Sequence, residues 1–311
     1  MIVAGIDIGT LTCRLLIADV TPDGSLREID SDRRILRLGE GVDREGKLNV
    51  GAMKRVIDVL GEWQKTISRC QIEAMVLVAT SAVREASNQQ EFLERIKQET
   101  GFSIDVLSGD EEARRTLLGL KFGLPPDVDD YVGLDIGGGS TEWIRMSGDG
   151  LPVVASLDIG VVRVTERCFE SDPPHEQDVL AAEQLIKDHI HPIQQHFDLS
   201  ASVTLVGTAG TVTTLAAMAQ QLRQYRSARI HNYWLTLEKI RELENDLRSR
   251  TRAQRIQLPG LEAGREGVIV AGTIILRTMM DMLGFTRCLV SDYGLREGIL
   301  IDLMNKKKRD G

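Results

Sequence analysis

A glycine-rich segment, VGLDIGGGST at residues 132–141, contains the residue types that best suggest chemistry in this sequence. An apolar run typical of a buried strand ends at Asp135. Successive glycines cost backbone entropy, so they favour a place where the backbone approaches a ligand closely, and the usual ligand is a phosphate bound by main-chain N–H groups. A flexible hairpin turn is the alternative, because Gly-Gly is a common turn signal. The candidate phosphate-binding residues of this segment are Gly137, Gly138, Gly139, Ser140 and Thr141.

A second copy of this pattern, AGIDIGTLT, lies at residues 4–12. A shift of 128 positions places Asp7 on Asp135 and Thr12 on Ser140. Two copies favour the phosphate interpretation over a chance turn. They also predict a duplicated domain, in which each half begins with an acid and a glycine turn that face a shared cleft. The hydroxyls of Thr10 and Thr12 are the corresponding phosphate-binding candidates in the first copy.

Two further segments place candidate side chains at the ends of predicted strands. Arg84 follows the predicted strand Met75–Ala79, where a guanidinium can hold phosphate oxygens in a bidentate manner, although a loop arginine is more often a solvated charge. The segment Gly207-Thr208-Ala209-Gly210 follows another strand and begins a helix, so Gly207, Thr208 and Gly210 form a candidate third anion site. An ordinary helix cap is the alternative there.

An acidic helix start after Ser108 carries the candidate general base. Asp110, Glu111 and Glu112 all suit the positive end of a helix dipole, which is a sufficient structural reason for each of them. Ser108 and Glu111 have the spacing of a capping box, so Glu112 is the carboxylate left for chemistry.

Three carboxylates are candidate metal ligands. Asp135 and Glu142 carry hard oxygens of the kind that Mg²⁺ prefers, with substrate phosphates completing the coordination shell, and a hairpin can fold both towards one turn. An ordinary exposed strand residue is the alternative for Glu142. Asp7, the counterpart of Asp135, is a secondary candidate for the same ion.

The composition limits the class of protein. The chain has 311 residues, of which 42% are hydrophobic, so it can form a large core, and its length favours two domains. We find no apolar run long enough for a membrane span and no secretory signal. The four cysteines are scattered, which is typical of reduced core residues in a cytoplasmic protein. The net charge of −8 argues against general binding to nucleic acid or membranes.

Strands alternate with helices along the chain, which indicates an α/β fold. Local patterns predict a third strand at Arg33–Leu38, a helix capped by Asn49, a capping box of Asn88 with Glu91, and a charged helix from Thr236. Pro125-Pro126 predicts the domain boundary. A basic stretch either lines a polyanion groove or, as we expect, is a solvated helix face interleaved with glutamates: Arg241, Arg248, Arg250, Arg252 and Arg255.

These motifs together resemble the exopolyphosphatase/guanosine pentaphosphate phosphohydrolase family. The resemblance covers nearly the whole chain, and it rests on DIGTLTCRLLIAD at 7–19, ATSAVREASN at 79–88, SGDEEAR at 108–114, DIGGGSTE at 135–142, GTAGT at 207–211 and SDYGLREGIL at 291–300. It implies the fold of the acetate kinase, sugar kinase, chaperone ATPase and actin superfamily. Two ribonuclease H-like (actin-like) domains are then expected, 1–125 plus 297–311 and 126–296, because in that superfamily the last helix returns to the first domain.

The resemblance also implies roles for individual residues. Arg84 matches the active-site arginine segment of the family and Glu112 matches its catalytic glutamate, so both become catalytic candidates. Leu11 occupies a position where the family usually has asparagine, which puts a polar contact to phosphate in doubt. Arg265-Glu266-Gly267 replaces a common Arg-Ala-Asp, which removes an aspartate and leaves Arg265.

We expect an exopolyphosphatase that hydrolyses the terminal phosphate of inorganic polyphosphate with Mg²⁺, Glu112 activating the water. Hydrolysis of guanosine pentaphosphate (pppGpp) by the same residues is the close alternative. A phosphotransferase of the sugar or acetate kinase type and a non-catalytic nucleotide or alarmone sensor are more remote alternatives. A monovalent cation such as K⁺ and a homodimer are further candidates, and no nucleic-acid or membrane partner is expected.

Overall fold

The computed structural model describes residues 1–21, 25–148, 150–194 and 203–310. Within these ranges no helix combines the length and the apolar character that crossing a membrane requires. The chain divides into two compact units, Met1–Lys121 with Gly294–Gly311, and Phe122–Tyr293. The sequence-based boundaries were placed at 125/126 and 296/297.

The first unit contains a five-stranded sheet of order β3-β2-β1-β4-β5. Its N-terminal hairpin is antiparallel, and β4 and β5 continue the sheet in parallel with β1. Its elements are β1 (Ile2–Ile8), β2 (Thr12–Val20), β3 (Leu26–Ile35), α1 (Val42–Glu45), α2 (Val50–Ile67), β4 (Ala74–Ala79), α3 (Ser81–Glu85), α4 (Gln89–Thr100), β5 (Asp105–Val106) and α5 (Gly109–Gly123), whose last two residues belong to the second unit, together with the C-terminal helix Leu295–Asp310.

Both faces of this sheet are covered, and the alternation of side chains along β1 explains how. Ile6 and Ile8 lie in a cluster with the apolar stripe of α2, which includes Met53 and Trp63. Val3 lies in a separate cluster with Leu300 of the C-terminal helix. Successive residues of a strand point to opposite faces, so one strand supplies two cores.

The second unit contains a six-stranded sheet of order β10-β11-β9-β6-β7-β8. The strands β6, β9 and β11 are parallel, and the remaining pairs are antiparallel. Its elements are β6 (Asp130–Ile136), β7 (Thr141–Ser147), β8 (Val153–Leu157), α6 (Val161–Cys168), α7 (Glu176–Gln194), β9 (Thr204–Thr208), α8 (Ala209–Ala219), α9 (Ser227–Ile230), β10 (Tyr233–Thr236), α10 (Leu237–Arg248), α11 (Arg252–Arg255), α12 (Ile269–Leu283) and β11 (Arg287–Val290); the C-terminal helix of the first unit is then α13.

The duplication seen in the sequence is visible in the two hairpins. Strands β1 and β6 cover residues 2–8 and 130–136, which differ by the same 128 positions as the sequence motifs. The turns close with equivalent hydrogen bonds, since the Gly9 N–H donates to Thr12 O at 2.9 Å and the Gly137 N–H donates to Ser140 O at 3.0 Å. The α/β fold class is therefore confirmed, with the same hairpin at the start of each sheet.

The local predictions had mixed outcomes. Asn49 accepts hydrogen bonds from the first turn of α2, and Thr236 caps α10, as predicted. The capping box at Asn88 is wrong, because the Asn88 side chain bonds both backbone groups of Leu48 instead of the first turn of α4. The third strand begins at Leu26 rather than near Arg33, and it carries mostly charged residues at the edge of the sheet.

Candidate functional site

A row of polar side chains crosses four strands of the second sheet near the carboxyl end of β6. Asp135 is directly opposite Glu142 on β7, and Glu142 is opposite Ser156 on β8. On the other side, Asp135 is opposite Thr208 at the end of β9. Residues directly opposite on neighbouring strands lie on one face of a sheet, with Cβ atoms about 4.5–5.5 Å apart in an antiparallel pair. The two carboxylates predicted as metal ligands are thus brought together, and both are buried, with Glu142 only 1% exposed.

The loop that joins these strands is fixed by the start of α6. The carbonyls of Gly137 and Gly138 accept hydrogen bonds from the N–H groups of Val161 and Val162, at 3.0 and 2.8 Å. The carbonyl of Gly139 accepts one from Arg163 Nε at 3.1 Å. All three carbonyls of the glycine run are therefore directed at α6.

The orientation of these carbonyls decides where the amides of the loop point. In a trans peptide the C=O and the following N–H point in opposite directions, so the N–H groups of Gly138, Gly139 and Ser140 point away from α6. Within the described part of the chain, none of these three amides donates a hydrogen bond. Gly160 confirms how closely the backbones approach, because a Cβ there would lie 2.4 Å from the carbonyl carbon of Gly138. The loop presents three amides together, which is the geometry of an anion cradle.

The hydroxyls predicted to assist phosphate binding have partners within the protein. Thr141 Oγ1 donates to Ile159 O at 2.5 Å, and Thr208 Oγ1 donates to Tyr293 O at 2.9 Å. In the first unit, Thr10 Oγ1 accepts from the Ala82 N–H at 3.2 Å. These bonds fix the turns, and the predicted phosphate contacts of the three hydroxyls stay predictions, as does that of Thr12, which is half-buried.

The third predicted anion site lies where β9 leads into α8. Ala209 has a left-handed φ of 66°, an unusual conformation for a residue with a Cβ. A Cβ on Gly210 would lie 1.9 Å from Arg265 Nη2, so only glycine leaves room for this buried guanidinium beside the first turn of the helix. Gly207 precedes this turn in β9, and its carbonyl accepts from the Ser291 N–H at 2.8 Å. The N-terminus of α8 places partial positive charge at this end of the sheet, and the guanidinium of Arg265 beside it is paired with Glu262.

In the first unit, the structure brings Glu112 and Arg84 together. Arg84 Nη1 lies 3.1 Å from Glu112 Oε2 and also donates to Leu107 O at 2.7 Å. Glu112 lies in the first turn of α5 and is 7% exposed. Glu111 has the capping role predicted for it: it accepts from the N–H and the hydroxyl of Ser108, and these hydrogen bonds lower its pKa.

Helix α5 is held in place by glycines. A Cβ on Gly119 would lie 1.9 Å from Gly294 O, and a Cβ on Gly298 would lie 1.7 Å from Arg115 O. The backbones of α5 and of the region that begins α13 therefore touch, which no larger residue would allow. The glycines of the GLREG segment thus have a packing role: they set the position of the helix that carries Glu112.

Asp7 has different neighbours from Asp135. It is opposite Arg14 on β2 and Val78 on β4, so a guanidinium-bearing residue occupies the position that Glu142 occupies in the second unit. The metal role predicted for Asp7 stays a prediction, although a cationic neighbour makes this position less suited to an added cation than Asp135.

The basic stretch of the second unit is paired with carboxylates rather than open. Arg241 contacts Asp281, Arg248 contacts Glu176 and Glu244, Arg250 contacts Asp246, and the buried Arg255 contacts Asp172. The predicted solvated face therefore holds for the exposed Arg241, whereas Arg248 and Arg250 are half-buried and the prediction is wrong for Arg255, which is buried.

Comparison with known proteins decides the family. The sequence matches the Ppx/GppA phosphatase family over residues 16–307. The chain belongs to this family.

Relatives and a solved structure match nearly the whole length of the chain. The sequence is 35% identical over 313 residues to exopolyphosphatase 2 of Mycobacterium tuberculosis, covering 97% of this chain and 98% of the relative. It is 28% identical to a guanosine-5'-triphosphate,3'-diphosphate pyrophosphatase of Photobacterium profundum, covering 98% of this chain and 60% of that protein. The crystal structure of the Ppx/GppA family member of Aquifex aeolicus superposes with a TM-score of 0.82 at 34% identity, covering 99% of this chain and 98% of that one. The predicted family, the actin-like fold and the class of phosphoanhydride hydrolases are confirmed.

Within this family framework, the residues of the second unit suit a magnesium ion. Asp135 and Glu142 offer two buried carboxylates on one face of the sheet, beside the amides of the glycine loop. Among the described residues no group of three or more His, Cys, Asp or Glu side chains is arranged to hold a metal. Mg²⁺ is commonly bound by one or two carboxylates, with water and substrate phosphates as the other ligands, so two carboxylates are enough.

Sequence reasoning missed three residues near the candidate groups. Arg14 could have been found, because the shift of 128 positions that relates the motifs places it on Glu142. Arg163 contacts Gly139 of the loop, and Ser156 contacts Glu142. Both contacts are tertiary, so no local sequence pattern predicts them.

Proposed function

We propose that the protein is an exopolyphosphatase that releases terminal orthophosphate from inorganic polyphosphate with the help of Mg²⁺. The observation that supports it best is the hairpin of the second unit, where three backbone amides directed away from α6 adjoin the buried pair Asp135 and Glu142. Amides suit phosphate oxygens and paired carboxylates suit a divalent cation, and a phosphate chain with its counter-ion needs both. The M. tuberculosis relative carries the same activity in its name.

Each group has a role in this reaction. The amides of Gly138, Gly139 and Ser140 bind phosphate oxygens, and Asp135 with Glu142 would hold Mg²⁺, which would supply charge neutralisation at the phosphates. Glu112 is the general base, taking a proton from the attacking water, and Arg84 keeps its carboxylate in place through the 3.1 Å contact. The departing chain leaves with its bridging oxygen, and the water oxygen becomes part of the released orthophosphate.

Hydrolysis of pppGpp is the second candidate, supported by the P. profundum relative. The two substrates share a terminal phosphoanhydride bond and differ in the group that carries it, a phosphate chain in one and a guanosine nucleotide in the other. The N-terminus of α8 at Gly210, beside the Arg265–Glu262 ion pair, suits phosphates of either substrate.

The decisive experiment measures phosphate release from long-chain polyphosphate and from pppGpp side by side. For Glu112→Gln we expect kcat to fall by about 100-fold or more on the preferred substrate, since general-base catalysis contributes roughly 10²–10⁴-fold. Binding of that substrate should be retained. Glu111→Gln is the matched control, because it changes the adjacent carboxylate, which caps α5, and it should keep nearly full activity.

Three results would count against the proposal. Faster turnover of pppGpp would favour the second candidate. Full activity in Glu112→Gln would remove the general base. Binding of polyphosphate without turnover in the unmodified protein and Mg²⁺ would favour a sensor.

A further inference from the structure

Ser156 has a contact that the roles assigned so far do not explain. It lies on the edge strand β8, directly opposite Glu142, and its hydroxyl donates to Glu142 Oε1 at 2.8 Å. It is the outermost member of the polar row that continues through Glu142 to Asp135.

Burial makes the orientation of the Glu142 carboxylate important. A glutamate has a broad, two-fold terminal torsion, so its two oxygens are not oriented by the backbone. With the side chain 1% exposed, bulk water cannot orient it either. The hydrogen bond from Ser156 holds one oxygen, Oε1, and so contributes to setting the plane of the carboxylate.

The strand itself does not depend on this hydroxyl. Strand β8 pairs with β7 over five successive residues, from Val153 opposite Arg145 to Leu157 opposite Thr141. These pairs use backbone groups, so a side-chain hydroxyl is not needed to keep the strand in register. The equivalent row of the first sheet has Arg33 opposite Arg14, where no carboxylate needs to be oriented.

We propose that Ser156 is a positioning residue that orients the Glu142 carboxylate towards a divalent cation held with Asp135. The inference rests on the cation site of the proposed function. Partners that orient a metal-binding carboxylate commonly change metal affinity by about 10–100-fold when they are removed. Ser156 acts in this way through Glu142 and does not itself contact the reacting atoms.

The test measures Mn²⁺ binding to the full-length protein by electron paramagnetic resonance, without substrate. For Ser156→Ala we expect the Kd for Mn²⁺ to rise by about 10-fold or more. Ser156→Thr retains a hydroxyl on a β-branched residue that strands accept, and it should bind Mn²⁺ nearly as the unmodified protein does. Ser147→Ala removes an exposed hydroxyl from β7 in the same sheet and should change nothing.

A fourth variant separates the inference from the function on which it rests. Glu142→Gln removes the charge and keeps the shape of the side chain, so it should abolish most Mn²⁺ binding. If Glu142→Gln weakens binding and Ser156→Ala does not, the cation site stands and the role of Ser156 is wrong. If Glu142→Gln binds Mn²⁺ as the unmodified protein does, the cation site itself is wrong.

The melting temperature of the metal-free variants distinguishes positioning from simple stabilisation. We expect metal-free Ser156→Ala to melt somewhat below the unmodified protein, because a buried carboxylate loses a hydrogen-bond donor, and the gap to widen when Mn²⁺ is added. A gap that Mn²⁺ does not widen, with weak Mn²⁺ binding that threonine does not restore, would overturn the inference.

Discussion

The two hairpins share one backbone and differ in the residue that faces the aspartate. In the first unit Asp7 is opposite Arg14, and in the second unit Asp135 is opposite Glu142. Both turns close with equivalent backbone hydrogen bonds, so the two hairpins share the geometry of the turn. The duplication therefore preserved a scaffold, while the charge at one equivalent position was reversed.

This difference in charge changes how the aspartate of each hairpin can be stabilised. An aspartate opposite an arginine is a pair of opposite charges, which stabilises a strand pair, whereas like charges directly opposite each other destabilise it. Two buried carboxylates on one face are stabilised by an added cation. On the proposed function, the second hairpin is the better place for a cation, and the metal role of Asp7 in the first stays a prediction.

The units also position their acidic groups by different means. Strand register places Asp135 and Glu142 side by side, because residues at the same level of a sheet must face the same way. Glu112 lies on a helix, and its position depends on the close contact between α5 and α13 at Gly298. A change in strand register should therefore disturb the acidic pair of the second unit, whereas a change in helix packing should disturb Glu112 in the first unit.

The largest expected effect is a difference in Mn²⁺ affinity between variants of the two aspartates. Asp135→Asn should raise the Kd for Mn²⁺ by about 100-fold, since a charged ligand contributes several kcal/mol and each 1.4 kcal/mol is a factor of about ten. Asp7→Asn should change it by less than about three-fold, because Asp7 lies in the other hairpin and is opposite Arg14 rather than a second carboxylate. Isothermal titration calorimetry of both proteins without substrate measures the difference.

Equal losses in the two variants would show that Asp7 is a ligand of the same ion, as the sequence alone suggested. A third variant tests whether the charge opposite Asp7 influences Mn²⁺ binding. Arg14→Gln removes the charge of the residue opposite Asp7 in the strand register and should leave the Kd for Mn²⁺ of the second hairpin unchanged.

The repeated motif made the two hairpins predictable from the sequence. A strand, an acid and a glycine turn recur at a fixed interval, and both copies form the hairpins that the pattern specifies. Glu111 was correctly separated from Glu112, because a capping box is a local pattern of three residues' spacing. Local signals were reliable where nothing distant competed for the same groups.

The failures have a physical cause in common. Asn88 has the spacing of a capping residue, but its amide bonds Leu48, forty positions earlier in the chain. The start of β3 was missed because an edge strand is often charged and lacks an apolar alternation. Ser156 and Arg163 gain their importance from contacts with Glu142 and Gly139, which only the folded chain brings near them.

A smaller effect is expected where the two helices of the first unit touch. Gly298→Ala places a Cβ 1.7 Å from Arg115 O, and a backbone atom cannot move aside cheaply, so we expect a loss of about 1–3 kcal/mol or more in the free energy of unfolding. Turnover per folded molecule should fall as well, because α5 carries Glu112. Gly61→Ala in α2 is the matched control: its Cβ meets no atom within 4 Å, and it should stabilise the protein by about 0.5–1 kcal/mol.

Chemical denaturation at neutral pH, together with phosphate release, measures both quantities. If Gly298→Ala unfolds at the same denaturant concentration as the unmodified protein, close contact between α5 and α13 does not set the position of Glu112.

The smallest effect concerns the capping box at the start of α5. Ser108→Ala removes a cap and should cost about 1 kcal/mol in the free energy of unfolding. Glu111→Gln keeps the geometry and removes the charge, so it isolates the pH-dependent part. The hydrogen bonds from Ser108 lower the pKa of Glu111 below its ordinary value of 4.5 in the folded state. The ionised carboxylate therefore adds stability above pH 4.5, and this contribution is lost as the pH falls through the lowered pKa.

Urea denaturation of the unmodified protein and Glu111→Gln at several pH values measures this contribution. The unmodified protein should be slightly more stable at pH 7, and the two curves should converge on the acid side of 4.5. A difference that persists or grows with acidification would mean that the charge of Glu111 is not what the cap stabilises. In that case the carboxylates at the start of α5 would have to be reassigned, and the choice of Glu112 as the base, which depends on Glu111 being the capping residue, would lose its structural argument.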